Sequence, residues 1–324
     1  MSVLRWGILG AANIARKALV PAMRSARGTE LLAVASRAPE KARAFADELA
    51  IPRAYGSYEE LLADPEIDAV YNPTPNSEHA PWTIRALRAG KHVLCEKPFT
   101  LNAAEAEEVD AVGRESGKVL MEAFMYRFHP QVERAQEVLR SGAIGELRLV
   151  RGAFLFPLTN PQNVRWAPEL GGGCLYDVGC YPVNAARTFF AAEPLSASGW
   201  ATPGENGVDG SFTGVLDFGE GRRASFDSSF QLPRHQRVEL FGSDGVLTIQ
   251  TPFTPGLTDA TITLNGVNEV VPAADQYALM LEHFADVVAG KTTLRYPASE
   301  AVSQMRVLDA LYRSAGEGGA PVTV

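Results

Sequence analysis

The chain has 324 residues, 46% of them hydrophobic and 21% charged, with a formal net charge of -8. At roughly 100 to 200 residues per domain there is room for two folded domains, and the acidic balance excludes nucleic acid or an anionic membrane as a partner, since both need a basic face. No apolar run approaches the roughly 20 residues that span a bilayer, and the start Met1-Ser2-Val3-Leu4-Arg5-Trp6 lacks the basic region and apolar core of a signal, so a soluble cytoplasmic protein is expected.

Val3 to Leu9 reads as a strand that runs into Gly10-Ala11-Ala12-Asn13-Ile14-Ala15, and Arg16 to Ala26 has helical periodicity. A strand, a glycine turn and a helix in this order can hold pyrophosphate on backbone N–H groups at the helix start. Gly10 and Ala15 occupy the first and last positions of the G-x-G-x-x-G/A pattern, but Ala12 replaces its middle glycine, so plain packing of helix on strand is the other reading. The second strand, Leu31 to Ala35, ends in Ser36-Arg37 before a helix from Pro39 to Leu49. A carboxylate at that place accepts from the ribose 2′-hydroxyl of NAD, whereas a hydroxyl and a guanidinium suit a 2′-phosphate. NADP is therefore expected in preference to NAD, unless Arg37 is only a solvated residue at the helix start.

Ser57 is placed to cap a helix that begins at Tyr58, and Ile67 to Tyr71 is a third core strand. It empties into Asn72-Pro73-Thr74-Pro75-Asn76-Ser77-Glu78-His79, where two prolines prevent regular pairing and make a loop at a strand's carboxyl end. His79 opens a helix, Ala80 to Ala89, either as a capping or packing residue or, with Asn76, beside the nicotinamide ribose. The strand His92 to Cys95 then delivers Glu96-Lys97-Pro98; an ammonium at the carboxyl end of a buried strand is where an open α/β sheet puts its chemistry. A helix from Ala103 to Ser116 and a strand from Val119 to Ala123 follow. Alternation of strands and helices in this way predicts a doubly wound parallel sheet, residues 1–123.

In the second half, residues 124–324, Phe124-Met125-Tyr126-Arg127-Phe128-His129-Pro130 leads into a helix from Gln131 to Ser141 and a strand from Leu147 to Phe156. An irregular segment carrying Asn160, Asn163, Arg165 and Trp166 ends in Gly171-Gly172-Gly173, against the helical stretch Cys174 to Arg187. Asp177 and Tyr181 are four apart, hence on one helical face, and Pro182 with Gly179 predicts a kink or break at Tyr181. A helix-start charge and an amphipathic core residue are the structural alternatives for the pair. From Leu195 onward, runs at Ser196–Ala201, Gly210–Asp217, Arg222–Phe230, Gln236–Gly242, Gly245–Gln250 and Ala260–Leu264, with turns at Gly219-Glu220-Gly221, Ser243-Asp244 and Asn265-Gly266, imply a large, mostly antiparallel open sheet. Helices Gln276 to Ala289 and Ala298 to Ala315 close an α+β domain. Cys95, Cys174 and Cys180 are odd in number and lack metal-ligand spacing, so they read as buried reduced thiols and no metal is expected.

Trp6-Gly7-Ile8-Leu9-Gly10, Ala33-Val34-Ala35-Ser36-Arg37, Tyr71-Asn72-Pro73-Thr74-Pro75-Asn76, Glu96-Lys97-Pro98 and Gly171-Gly172-Gly173 with Asp177 and Tyr181 resemble, in order and spacing, the Gfo/Idh/MocA family of NAD(P)-dependent oxidoreductases. Tyr at 181, with Met121-Glu122-Ala123-Phe124-Met125-Tyr126-Arg127 and Asp177-Val178-Gly179-Cys180-Tyr181, most resembles the branch of dihydrodiol dehydrogenase and NADP-dependent D-xylose dehydrogenase. That resemblance implies an N-terminal Rossmann domain, a C-terminal substrate and oligomerisation domain, and action on a sugar, polyol or diol, with oxidation of an aldose at C1 to the lactone as the leading expectation. The alternatives are an aldose/ketose oxidoreductase that keeps NADP bound, similar to glucose-fructose oxidoreductase, and a regulatory NADP-binding protein without turnover. A homodimer or higher homo-oligomer through the second sheet is also expected.

Oxidising an alcohol by hydride transfer needs a base for the hydroxyl proton. Phenol titrates near pH 10 in water, so Tyr181 needs a cation to act as that base, and Lys97 is the candidate. The catalytic set is therefore Tyr181 as general acid/base, Lys97 as the charge that favours its phenolate, and Asp177 to orient the sugar through a neighbouring hydroxyl; in some relatives the lysine itself relays the proton. The cofactor-binding set is Gly10, Ala12, Asn13, Ile14, Ser36, Arg37, Pro73, Thr74, Asn76, His79, Glu96, Lys97, Arg127 and Trp166.

Overall fold

The computed structural model describes residues 3–324; the expected lead-in residues Met1 and Ser2 lie outside them. The chain divides into two compact units, the first comprising residues up to Met125 together with Asp275–Val302, the second Tyr126–Ala274 with Ser303–Val324.

In the first unit six strands, β1 (Leu4–Leu9), β2 (Thr29–Ala35), β3 (Arg53–Tyr55), β4 (Ala69–Asn72), β5 (His92–Cys95) and β6 (Leu120–Glu122), form one parallel sheet in the order β3-β2-β1-β4-β5-β6. β4 and β5 are apolar runs with Val70, Tyr71, Val93 and Leu94 fully buried, as a sheet covered on both faces requires. The strand order reverses between β1 and β4, so the carboxyl ends of these two strands flank the switch point at which this architecture binds ligands. Helix starts are set by their sequence. Ser57 Oγ accepts from the Glu60 N–H at 3.1 Å, and Asn102 Oδ1 accepts from the Glu105 N–H at 2.9 Å while Glu105 Oε2 accepts from the Leu101 N–H at 3.1 Å.

Two features of this unit differ from the periodicity reading. The expected helix Arg16 to Ala26 begins as a wide π-type turn, Ala15–Leu19, closed by a Val20 N–H to Ala15 carbonyl bond, and only then becomes the α-helix Val20–Ser25. Pro21 has no N–H for the carbonyl four residues back, and shifting the ladder to i+5 just before it relieves the mismatch. The helix Gln276–Val288 joins this unit because Phe284 packs on Trp6, ring centroids 5.1 Å apart, and Glu282 pairs with Arg27 at 2.7 Å.

In the second unit nine strands form one sheet: β7 (Leu147–Leu155), β8 (Ser196–Pro203), β9 (Asp209–Asp217), β10 (Arg223–Ser229), β11 (His235–Gly242), β12 (Val246–Ile249), β13 (Ala260–Leu264), β14 (Val267–Val271) and β15 (Val322–Thr323). Their order is β14-β13-β12-β11-β7-β10-β9-β8-β15. Only β7 and β10 pair in parallel; every other neighbour is antiparallel. The helix Cys180–Phe190 is buried at ten of its eleven residues. Pro182 exerts its expected effect one turn upstream: Leu175–Gly179 is a π-type turn whose Leu175 carbonyl accepts from the Cys180 N–H. Among the described residues no helix is long and apolar enough to cross a membrane.

Candidate active site

In the first unit the candidate residues gather at the carboxyl ends of β1, β2, β4 and β5. Gly10 has a φ of +112° and donates its N–H to the Ala35 carbonyl at 2.8 Å. Any side chain would be strained there, so the glycine is a backbone requirement and the chain turns sharply out of β1. Ala12 and Ile14 are half-buried and Asn13 is exposed, its Oδ1 accepting from Arg16 Nη1 at 2.8 Å. At the end of β2, Ser36 Oγ accepts from the Ala38 N–H at 3.3 Å and Arg37 is exposed. Burial raises the pKa of the Tyr58 phenol and the Arg37 guanidinium opposes that rise; a side chain on Gly10 would lie 3.4 Å from the same phenol oxygen.

The loop after β4 is built on Asn72, a residue outside the expected site set. Its fully buried amide donates to the His79 carbonyl and to Thr83 Oγ1, both at 3.1 Å, and its oxygen accepts from Thr74 Oγ1 at 2.7 Å. Pro73 and Thr74 are thereby buried, and Asn76 is half-buried. His79 is 1% exposed, with Nδ1 2.7 Å from the Pro98 carbonyl oxygen and Nε2 2.8 Å from that of Thr74. Its imidazole thus bridges the loop to the turn that carries Lys97, a role set by packing rather than by an open face. Lys97 is half-buried, precedes a cis peptide bond to Pro98, and donates its N–H to Glu96 Oε2 at 3.2 Å. Glu96 Oε1 in turn accepts from the Tyr71 hydroxyl at 2.5 Å. His79 thus ties Thr74 to Pro98, and Glu96 ties Tyr71 to the Lys97 backbone on the same turn.

The second unit carries the rest of the set. Asp177 lies in the wide turn Leu175–Gly179, and Tyr181 in the α-helix that follows it. Its Oδ2 pairs with Arg165 Nε at 2.6 Å. Arg165, in sequence only one residue of a polar segment, takes its position from the three-glycine loop, where the Gly173 N–H donates to the Arg165 carbonyl at 3.0 Å and Gly173 itself takes a φ of +122°. Buried Asp209 anchors this loop, accepting from the Leu175 N–H at 2.7 Å and from the Tyr312 hydroxyl at 2.9 Å. Burial raises the pKa of Asp209 and pushes that of the Tyr312 phenol well up.

Tyr181 is 5% exposed and packs among Tyr126, Phe154 and Phe253, at ring-centroid distances of 5.9, 5.3 and 5.3 Å. Arg127 is buried, with Nε donating to Asn184 Oδ1 at 2.7 Å. Trp166 is 3% exposed, meets Phe230 edge to face at 5.2 Å, and keeps a buried indole N–H with no hydrogen-bond partner among the described residues. Among the described residues the three cysteines are buried and none is in a disulfide, and no group of three His, Cys, Asp or Glu side chains could hold a metal ion.

Residues 4–124 match the description "Oxidoreductase family, NAD-binding Rossmann fold", and residues 132–248 match "GFO/IDH/MocA C-terminal domain". A D-xylose 1-dehydrogenase (NADP(+)) of Haloferax volcanii is 42% identical over 98% of this chain and 99% of its own length. A trans-1,2-dihydrobenzene-1,2-diol dehydrogenase of Mus musculus is 37% identical over 83% of this chain and 80% of its own. The crystal structure of a 3-ketoreductase from Actinomadura kijaniata, in complex with NADP and TDP-benzene, superposes with a TM-score of 0.91 at 33% identity, covering 97% of this chain and 98% of that one. The chain belongs to the Gfo/Idh/MocA family of NAD(P)-dependent oxidoreductases.

Proposed function

We propose that this member of the Gfo/Idh/MocA family is a cytoplasmic NADP-dependent dehydrogenase that oxidises an aldose at C1 to the lactone, with related polyols and diols as the neighbouring substrate class. The observation that carries the reading is Lys97, presented at the carboxyl end of β5 on a turn bound through Glu96 and His79, in a chain 42% identical to an enzyme named for NADP-dependent oxidation of D-xylose.

The residues at the switch point fit NADP. Gly10 leaves β1 with the backbone that a side chain would strain, and the end of β2 offers Ser36 and an exposed Arg37 where a carboxylate would repel a 2′-phosphate. Gly10, Ala12, Asn13 and Ile14 would receive the pyrophosphate, Ser36 and Arg37 the 2′-phosphate, and Pro73, Thr74, Asn76, Glu96, Arg127 and Trp166 the remainder, with His79 holding the loop behind them. When bound, NADP supplies the hydride acceptor. Tyr181 takes the hydroxyl proton, and the Lys97 ammonium favours the phenolate that can do so. Asp177, with its carboxylate held by Arg165, accepts from a neighbouring sugar hydroxyl and fixes which carbon faces the acceptor.

The same reading makes the protein a homo-oligomer through the second sheet. Trp200, Val270 and Val267 on that sheet are 48, 63 and 70% exposed, and burying such side chains favours association. The test of function is a panel of aldoses, polyols and dihydrodiols assayed with NADP and with NAD. Turnover is expected with an aldose and NADP; turnover confined to diols, or faster with NAD, contradicts the proposal.

A further inference from the structure

Behind Tyr181 and Arg127 lies a buried hydrogen-bonded chain of two amides, Asn184 and Gln304, both 0% exposed and 120 residues apart in sequence. Asn184 Oδ1 accepts from the Tyr126 hydroxyl and from Arg127 Nε, each at 2.7 Å. Asn184 Nδ2 donates to Gln304 Oε1 at 3.3 Å, which also accepts from Arg187 Nη1 at 2.8 Å. Gln304 Nε2 then donates to the Cys180 carbonyl at 2.9 Å, the peptide that enters Tyr181.

The direction of this chain is forced. A guanidinium only donates, so the Asn184 atom that meets Arg127 and the Gln304 atom that meets Arg187 must both be oxygens, and both NH2 groups must face onward. Arg187 is itself fixed, 4% exposed and paired with Glu193 through two bonds of 2.7 Å. With every partner buried, rotating either amide would leave a donor or acceptor without a partner. The chain therefore reaches Tyr181 from two sides. Gln304 holds the carbonyl of the preceding residue, and Asn184 holds the hydroxyl of Tyr126, whose ring packs on that of Tyr181.

We propose that Asn184 and Gln304 are positioning residues for the reaction, Asn184 setting the Arg127 guanidinium and the aromatic wall of Tyr181, and Gln304 setting the backbone from which the Tyr181 phenol projects. This rests on the roles of Tyr181 and Arg127 proposed above. The two amides have separable consequences: Arg127 is bonded to Asn184 alone of the two, so only Asn184 governs cofactor affinity, while both govern the phenol.

The experiment compares Asn184→Leu, Asn184→Asp, Gln304→Leu, Gln304→Glu and Tyr181→Phe in the full chain, measuring NADPH affinity by fluorescence titration, kcat against pH with the sugar that the parent turns over, and Tm. Because small misplacements of a reacting group lower rates steeply, Asn184→Leu is expected to weaken NADPH binding and kcat by about tenfold or more, and Asn184→Asp, which keeps the acceptor for Arg127, to restore NADPH affinity to within about threefold of the parent. Gln304→Leu and Gln304→Glu are expected to lower kcat by about tenfold and move its pH profile while NADPH affinity stays within about threefold. If a leucine variant does not fold, the near-isosteric Asp and Glu variants decide by the same criteria. The inference is overturned if all four variants keep the parent's NADPH affinity and kcat while Tyr181→Phe is inactive, or if the Asp variant fails to rescue NADPH affinity. A Tyr181→Phe variant that retains the parent's rate overturns instead the role of Tyr181, and with it the phenol arm of the inference.

Discussion

Acidification should test His79 more directly than any mutation of the reacting groups. The ring is 1% exposed, and its two nitrogens face the carbonyl oxygens of Pro98 and Thr74 at 2.7 and 2.8 Å. Two facing acceptors favour an imidazolium, which alone has two N–H groups, but burial acts the other way and is the larger effect. The Lys97 ammonium adds to burial, and the pKa is pushed down from 6.5 to about 4. Between those two values the unfolded chain binds a proton that the folded chain refuses, so this contribution to stability is fully present above 6.5 and is lost as the pH falls toward 4. At about 1.4 kcal/mol per pH unit the whole interval is worth roughly 3 kcal/mol, of which about 2 kcal/mol is lost between pH ~7.5 and pH ~5. Denaturant unfolding of the parent and of His79→Gln at these two pH values checks it, because glutamine can still donate to one carbonyl but does not titrate. The parent should lose about 2 kcal/mol more than the variant. Equal losses, or an imidazole that titrates near 6.5 by NMR in the folded protein, would refute the reasoning.

Asp209 anchors the turn that bears Asp177, so Asp209→Ala leaves the Leu175 N–H and the Tyr312 hydroxyl buried without an acceptor; at about 1 to 3 kcal/mol each, unfolding should become easier by about 2 to 6 kcal/mol. Tyr312→Phe removes one donor only and should cost about 1 to 2 kcal/mol by the same denaturation assay. Arg37→Asp should raise the KM for NADP by about tenfold or more while changing that for NAD little, since a charge-assisted phosphate contact is replaced by repulsion; equal losses with both cofactors would remove Arg37 from the 2′-phosphate site.

Much of this fold was legible because its information is local. β5 and the helix Ala103–Ser116 have the bounds expected of them, and Gly10 and Lys97 stand just past the carboxyl ends of β1 and β5. What was illegible depends on partners distant in the chain. The strand Arg53–Tyr55 is three residues long and has no fully buried position, and Val322–Thr323 is shorter still, so neither carries a periodic signal. Pro21 and Pro182 announce a disturbance, but not that the ladder would widen to i+5 upstream of them rather than kink. An amphipathic helix such as Gln276–Val288 advertises an apolar face without saying which core receives it; Phe284 against Trp6 answers that only in three dimensions. Arg165, Asn184 and Gln304 escaped for the same reason, since each is an ordinary polar residue until its partner is known.

The proposed chemistry stands on Lys97 and Tyr181 together, and single-turnover hydride transfer from sugar to NADP in Lys97→Met and Tyr181→Phe measures it. Both variants are expected to transfer hydride slower by about a hundredfold or more, general acid–base catalysis being worth about 10² to 10⁴, and Tyr181→Phe to do so with near-parental NADPH affinity. Near-parental rates in either variant, with every aldose that the parent oxidises, would contradict its assigned role.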